Sequence, residues 1–184
     1  MIYLFIANGT EEIEALTPLD ILRRAKVDIT SVAVSEDGSK TVRCAHGTIV
    51  TCDISIDDFD PSSSSDGVIL PGGMPGTENL FANEKVKAAT VRAFSEEKLT
   101  SAICAAPSIL GRLGLLSNKK ATCFPGFEDK LTGAILSKDG VVLDGNIITA
   151  KSMGYAKEFA LEIVRHLCGD EITKSVNLSI HGEV

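Results

Sequence analysis

Apolar residues occur along the chain in short continuous runs that alternate with segments of helical periodicity. Runs typical of buried parallel strands occupy residues 2–7, 28–34, 67–73 and 99–104. Helical spacing predicts helices over 10–25, 83–98, 107–116 and 155–169, with a further short helix over 171–178. Two hairpins are expected over 41–53 and 141–150, with turns at His46–Gly47 and Asp144–Gly145.

This alternation predicts an α/β fold with a mostly parallel central sheet covered by helices on both faces. We expect the whole chain, 1–184, to form one domain. In open sheets of this kind, ligands bind beyond the carboxyl ends of the strands. Three predicted strands end in distinctive segments, namely ANGTEE, LPGGMPG and AICAAP. The functional site is therefore expected where these three segments meet.

The first predicted helix carries an apolar stripe. Ile13, Leu16, Leu19 and Leu22 recur at about helical spacing, and Thr10 is the expected N-cap. This spacing predicts that Ile13 begins the buried face of the helix.

Three glutamates, Glu11, Glu12 and Glu14, fall in the first turn of the same helix. Acids in a first turn complement the helix dipole, which suffices to explain Glu11 and Glu12. Glu14 has a second interpretation, in which it points inward towards a reactive thiol. A buried carboxyl there would have a raised pKa and would exchange protons with the sulfur.

The composition narrows the range of functions. The net charge is −7, with no Trp and only two Tyr, so no nucleic-acid partner is expected. No apolar run approaches the roughly 20 residues that cross a bilayer, and the N-terminus lacks the basic region of a signal peptide. We expect a cytoplasmic protein with no membrane partner.

The five cysteines are an odd number and show neither CxxC nor Cys/His ligand spacing. Neither a disulfide framework nor a metal site is therefore expected, and reduced thiols suit a cytoplasmic chain.

Cys104 ends a predicted central strand, and a helix beginning near Pro107 follows it. This resembles the nucleophile elbow of hydrolases, and the helix N-terminus predicts a depressed pKa for the thiol. The alternative is a buried, inert cysteine, since Cys is among the most buried residue types. Gly72 and Gly73 follow a neighbouring strand, where their amides either form an oxyanion hole or simply make a tight turn.

The three histidines, His46, His166 and His181, lie outside the three segments that are expected to form the site. Residues distant in sequence can meet in space, but no Cys–His pair follows from the sequence.

Four motifs together resemble the ThiJ/PfpI superfamily: IANGTEEIEALTPLDILRRA, VILPGGMPGTENL, SAICAAPSIL and AKEFALEIVRHLCG. Their order and spacing are most similar to the branch of the parkinsonism-associated protein deglycase and its small bacterial relatives. The resemblance covers nearly the whole chain. It implies a flavodoxin-like sandwich, of the class I glutamine amidotransferase type, with a nucleophile elbow and usually a homodimer.

The resemblance also implies roles for individual residues. Cys104 falls on the family's nucleophile and Glu14 on its partner carboxylic acid, while Gly72, Gly73 and Ala105 fall on the oxyanion pocket. Two peripheral matches are Arg24, near the pocket from the dimer side, and Cys52, near the dimer interface.

Two segments depart from the family pattern. Phe124 stands where many members have a histidine, which argues against a Cys–His dyad, and SMGY (152–155) replaces the usual Gly-Pro-Gly-Thr. Phe124 is therefore a candidate pocket residue of altered chemistry.

The family implies a cofactor-independent glyoxalase or deglycase that acts on methylglyoxal, glyoxal or glycated amines in carbonyl and oxidative stress. The alternative is a redox-sensing thiol protein or holdase chaperone. A cysteine protease is disfavoured because Phe124 removes the base that would activate the thiol.

Overall fold

The computed structural model describes residues 1–183. Eleven strands occur in this part of the chain: β1 (Ile2–Ala7), β2 (Ile29–Val34), β3 (Thr41–Arg43), β4 (Ile49–Thr51), β5 (Ile54–Ser55), β6 (Gly67–Leu70), β7 (Leu99–Ile103), β8 (Lys120–Ala121), β9 (Ile135–Leu136), β10 (Val141–Asp144) and β11 (Ile147–Ala150). The α-helices are α1 (Glu12–Arg24), α2 (Gly76–Ala82), α3 (Glu84–Ser95), α4 (Pro107–Arg112), α5 (Ala156–Cys168) and α6 (Asp170–Ile180). Short 3₁₀ helices cover Glu128–Lys130 and Met153–Tyr155.

Seven strands form the central sheet in the order β10–β11–β7–β6–β1–β2–β5. All neighbours pair in parallel except β10, which forms an antiparallel hairpin with β11. The chain therefore builds outward from β1 in both directions, as in flavodoxin-like sheets. The predicted fold class is confirmed. The predicted hairpin over 41–53 is also present, as the separate antiparallel pair β3–β4.

Both faces of the sheet are buried, and β1 shows this directly. Its residues Tyr3 and Phe5 join one apolar cluster, to which α2, α3 and α4 contribute. The alternate residues Leu4 and Ile6 join a second cluster, to which α1, α5 and α6 contribute. Because successive side chains of a strand point to opposite faces, a fully apolar run is what a sheet covered on both sides requires.

The start of α1 differs from the sequence prediction. Glu11, not Thr10, caps the helix, because its Oε2 accepts hydrogen bonds from the amides of Ile13 (2.8 Å) and Glu14 (3.1 Å). The Thr10 hydroxyl instead accepts from the Ala7 amide. The predicted burial of Ile13 is wrong: Ile13 is 46% exposed, and Glu14 is fully buried in its place.

Among the described residues, no helix has the length and apolar character needed to cross a membrane.

Candidate active site

The carboxyl ends of β1, β6 and β7 lie side by side, because β6 pairs in parallel with both of the others. The three segments singled out in the sequence follow these strands. Two backbone hydrogen bonds join the first two segments: the Glu11 amide donates to Gly72 O (3.0 Å), and the Gly76 amide donates to Gly9 O (3.2 Å). The expected convergence is confirmed.

Cys104 occupies the sharp turn between β7 and α4, with a backbone φ of +65°. This left-handed conformation is costly for a residue with a side chain, so the surrounding structure must hold it. The Cys104 amide donates to Ala150 O at 2.8 Å, and the Phe124 amide donates to Cys104 O at 2.7 Å. The elbow is therefore fixed by β11 and by the loop after β8, and not by the turn alone.

Glu14 lies in the first turn of α1 with no exposed surface. Its Oε2 accepts a hydrogen bond from the Gly72 amide at 3.0 Å. The other oxygen, Oε1, has no partner at hydrogen-bond distance and angle among the described residues. The Cys104 thiol and the Met153 amide nevertheless lie close enough to stabilise the carboxylate. Loose contacts of this kind are common in enzymes without bound substrate.

Gly72 separates the acid from the thiol. A Cβ atom built on Gly72 would lie 2.7 Å from Glu14 Oε2 and 2.8 Å from Cys104 Cβ. Both side chains therefore pack against the same glycine, and any larger residue would force them apart.

Burial dominates the electrostatics of the site, and coupling between the charges adds to its effect. Burial raises the pKa of Glu14 to about 7, and the nearby Glu11 carboxylate adds to this rise, against hydrogen bonds that lower it. Burial, followed by the negative charge of Glu14, also raises the pKa of the Cys104 thiol. The depressed thiol pKa predicted from the helix N-terminus is therefore wrong for the site with Glu14 ionised. Since each charge disfavours the other, the pair holds at most one negative charge near neutral pH.

Two backbone amides partly offset the rise in the pKa of the Cys104 thiol. The N–H groups of Ala105 and Gly73 face Cys104 and lower its pKa. Gly73 has a φ of +89°, and a Cβ atom there would lie 2.3 Å from the Glu11 amide nitrogen. Only glycine fits this position, and the two amides provide donors for negative charge beside the sulfur.

The other residues predicted for the site do not contact the Cys104–Glu14 pair with their side chains within one chain. Arg24 pairs with Asp20 (2.7 Å) and lies ten positions beyond Glu14, roughly 15 Å along the helix. Cys52 is buried in the apolar cluster that α1 covers. Phe124 contributes its backbone amide to the elbow, while its side chain is exposed.

His46 is the residue beside the site that the sequence did not predict. Its ring Nδ1 lies 3.1 Å from Glu12 Oε2, and its backbone amide donates to the same oxygen at 3.2 Å. The turn of the β3–β4 hairpin thus packs on the start of α1. No signal in the sequence links positions 12 and 46, because the contact depends on how the hairpin folds back over the sheet.

Comparison with known proteins agrees with this arrangement. The family model for the DJ-1/PfpI family matches residues 1–166. The Parkinson disease protein 7 homolog of Danio rerio is 34% identical over 174 residues, which cover 93% of this chain and 91% of that protein.

Two solved structures share the fold over nearly their whole length. Oxidised DJ-1 of Toxoplasma gondii has a TM-score of 0.91 and 29% identity, covering 97% of this chain and 96% of that one. A mutant of a DJ-1 superfamily protein from Salmonella typhimurium, in which a cysteine is replaced by alanine, also has a TM-score of 0.91. It is 32% identical, with coverage of 98% and 97%.

Proposed function

The chain belongs to the DJ-1/PfpI family, and from this premise we propose that it is a cofactor-independent enzyme that uses Cys104 to act on α-oxoaldehydes. Its substrates would be methylglyoxal and glyoxal, or their adducts with amines, in defence against carbonyl and oxidative stress. The observation that supports this most is the Cys104 thiol, held at a strained elbow beside the buried Glu14 carboxyl.

The first step is attack of sulfur on the aldehyde carbon. The Glu14 carboxylate accepts the thiol proton as the C–S bond forms, so the negative charge of the pair passes to the former aldehyde oxygen. The aldehyde oxygen becomes an oxyanion, and the amides of Gly73 and Ala105 stabilise it. The oxyanion then takes this proton from Glu14, which gives a hemithioacetal and restores the Glu14 carboxylate.

The second step moves hydrogen between the two carbons of the substrate. Glu14 takes the proton from the former aldehyde carbon to give an enediol, and then returns a proton to the neighbouring carbon. The resulting thioester has the oxidation level of lactate, so no external oxidant or reductant is needed. Water then cleaves the C–S bond, which releases lactate and restores the thiol.

This proposal is tested by incubating the protein with methylglyoxal and measuring lactate. We expect turnover by the wild type and none above background by Cys104→Ala. Cys168→Ala is the matched control, because Cys168 is also a partly exposed free thiol but lies at the end of α5. Equal turnover by wild type and Cys104→Ala would contradict the proposal. Parallel assays with a glycated amine distinguish deglycase from glyoxalase activity.

A second candidate function is redox sensing by the same thiol. The thiolate and two equivalents of peroxide would give a sulfinate and two molecules of water. A protonated Glu14 would then donate a hydrogen bond to a sulfinate oxygen, and a relative from Toxoplasma gondii is described in an oxidised form. Mild peroxide should add about 32 Da to the peptide that contains Cys104. Preferential oxidation of another cysteine would exclude this function.

A cysteine protease is poorly supported, since it requires a base to activate the thiol. Among the described residues no histidine is hydrogen-bonded to Cys104: His46 contacts Glu12, and the His181 ring contacts the Asn177 carbonyl.

We also propose that the protein is a homodimer that works in the cytoplasm. All five cysteines are free thiols, which suits a reducing compartment. Ile13 is exposed one residue from Glu14, and the resemblance places Arg24 and Cys52 towards a partner subunit. A second subunit packed on this side of α1 would cover Ile13 and narrow access to the thiol.

A further inference from the structure

Three potential metal ligands meet beside the active site at the junction of two elements. Glu11 and Glu12 begin α1, and His46 lies in the turn between β3 and β4. One ligand atom from each residue lies within 4.8 Å of the other two. The cluster is separate from the Cys104–Glu14 pair, and the proposed reaction does not use it.

The distances between these atoms are close to those in a metal coordination shell. His46 Nδ1 lies 3.1 Å from Glu12 Oε2 and 3.8 Å from Glu11 Oε1. Ligands placed tetrahedrally at zinc distances of about 2.1 Å stand about 3.4 Å from one another. The observed separations fall on either side of that value, so small side-chain rotations suffice to converge on one ion.

Glu12 supplies an independent indication that a ligand is missing. The residue is only 8% exposed, yet its Oε1 atom is buried and has no hydrogen-bond partner among the described residues. No lysine or arginine in residues 1–183 forms an ion pair with Glu11 or Glu12. A buried carboxylate oxygen without a partner is costly, and a cation bound by this carboxylate, whose other oxygen faces His46, would satisfy it.

We propose that Glu11, Glu12 and His46 form a binding site for a divalent cation of the zinc class. One imidazole nitrogen with two carboxylate oxygens suits Zn²⁺ and its transition-metal neighbours better than Mg²⁺ or Ca²⁺, which prefer oxygen ligands alone. The His46 side chain is 73% exposed, so the ion can enter from solvent and keep a water as its fourth ligand. The bound ion would fix the hairpin turn to the start of α1.

The test uses the full-length protein in a Cys104→Ser background, so that the elbow thiol cannot bind metal. Co²⁺ serves as the spectroscopic probe, and Zn²⁺ is then added to displace it. We expect one equivalent of Co²⁺ to give the strong visible absorption of four-coordinate cobalt, and Zn²⁺ to abolish that absorption. Zn²⁺ should also raise the melting temperature, because the three ligands are brought together only in the folded state.

Variants decide whether the site is the proposed one. His46→Ala should weaken Zn²⁺ binding by more than about tenfold and remove the cobalt absorption. Glu12→Gln, which keeps the size of the side chain, should also weaken binding. His166→Ala is the matched histidine control and should bind as tightly as the parent protein. Melting curves without metal establish that each variant is folded.

Three results would overturn the proposal. The first is no binding of Co²⁺ or Zn²⁺ by the parent protein, or only weak binding with six-coordinate cobalt absorption. The second is unchanged affinity in folded His46→Ala. The third is loss of the absorption in Cys44→Ser but not in His46→Ala, which would assign the metal to the neighbouring thiol. None of these readouts depends on turnover of methylglyoxal.

Discussion

Glu14 and Cys104 act as one unit because they share a single negative charge. The fully buried carboxyl has a pKa of about 7, so it is poised to accept or donate a proton near neutral pH. The raised thiol pKa is then no obstacle to attack, since the proton needs to travel only from sulfur to the adjacent carboxylate.

This coupling predicts a pH dependence of catalysis. Only the ionised carboxylate can accept the thiol proton, so kcat/KM for methylglyoxal should rise as the pH increases through about 7. Glu14→Gln should lower kcat by about 10²- to 10⁴-fold and remove this rise. Rates of lactate formation between pH 5 and 9 for both proteins provide the measurement. An unchanged inflection in Glu14→Gln would assign the titration to another group.

The same carboxyl should make the fold less stable at high pH. The folded protein holds the Glu14 proton up to a pKa of about 7, whereas the ordinary pKa of a glutamate in the unfolded chain is 4.5. Its stabilising contribution is therefore complete below pH 4.5 and is lost as the pH rises through 7. A shift of this size corresponds to about 3 kcal/mol. Glu14→Gln should therefore increase the free energy of unfolding relative to wild type at pH 8, measured with urea.

Glu12 provides the opposite case and serves as an internal control. Burial tends to raise its pKa, but the nearby Glu12 amide and Thr48 hydroxyl, together with hydrogen bonds from His46, outweigh this and lower the pKa from 4.5 to about 2. Its contribution to stability is present above pH 4.5 and is lost as the pH falls through 2. Glu12→Gln should therefore reduce the free energy of unfolding at pH 7. An increase in the free energy of unfolding in both Gln variants would contradict the opposite effects predicted for Glu12 and Glu14.

The loop after β6 holds together the elements of the site, and Gly73 is its most constrained position. Its φ of +89° resembles that of Gly169, which is +83°, but only Gly73 is crowded. Alanine at either position carries backbone strain of about 1–3 kcal/mol. At Gly73 the new Cβ would also lie 2.3 Å from the Glu11 amide nitrogen.

We therefore expect Gly73→Ala to lower lactate formation by at least about tenfold, because the oxyanion donor and the start of α1 must both shift. Gly169→Ala should lose stability by the strain alone and keep its activity. Urea unfolding and the lactate assay separate the two effects. Equal activity in the two variants would show that the loop tolerates a side chain beside the site.

The elements that build the sheet could be predicted because their signals are local. The apolar run of β1 and the Cys104–Pro107 junction each specify their own conformation. The helix predicted over 83–98 is present as α3, and Asn83 caps it, since its side chain accepts from the amides of Lys85 and Val86. Short elements such as α2 and β8 were missed, because they depend on packing and on a distant partner strand rather than on a pattern of their own.

The sequence predicts which segments form the candidate site, but it predicts the direction of a side chain only where position along the chain determines that direction. Periodicity predicted that Ile13 would be buried, but the Glu11 cap sets the rotation of α1 so that Glu14 points inward. The raised thiol pKa depends on that rotation and not on the segment around Cys104. The contact between His46 and Glu12 joins residues 34 positions apart and has no sequence signature.

The whole molecule is expected to act as a homodimer. Ile13 is 46% exposed beside the site, and Ile172 on α6 is 43% exposed at a distance from it. Light scattering after gel filtration should give twice the mass of one chain for the wild type. Ile13→Asp should shift the measured mass towards that of the monomer and reduce activity, whereas Ile172→Asp should change neither the mass nor the activity. A wild-type protein that is fully active as a monomer would contradict this expectation.

Covalent attack of Cys104 on the substrate is tested most directly by mass spectrometry of rapidly quenched turnover mixtures. During turnover of methylglyoxal, the peptide containing Cys104 should gain about 72 Da, the mass of one substrate molecule, and should lose it once substrate is consumed. Cys168→Ala should behave in the same way. Adducts confined to other residues, while lactate still accumulates, would show that Cys104 does not attack the substrate covalently.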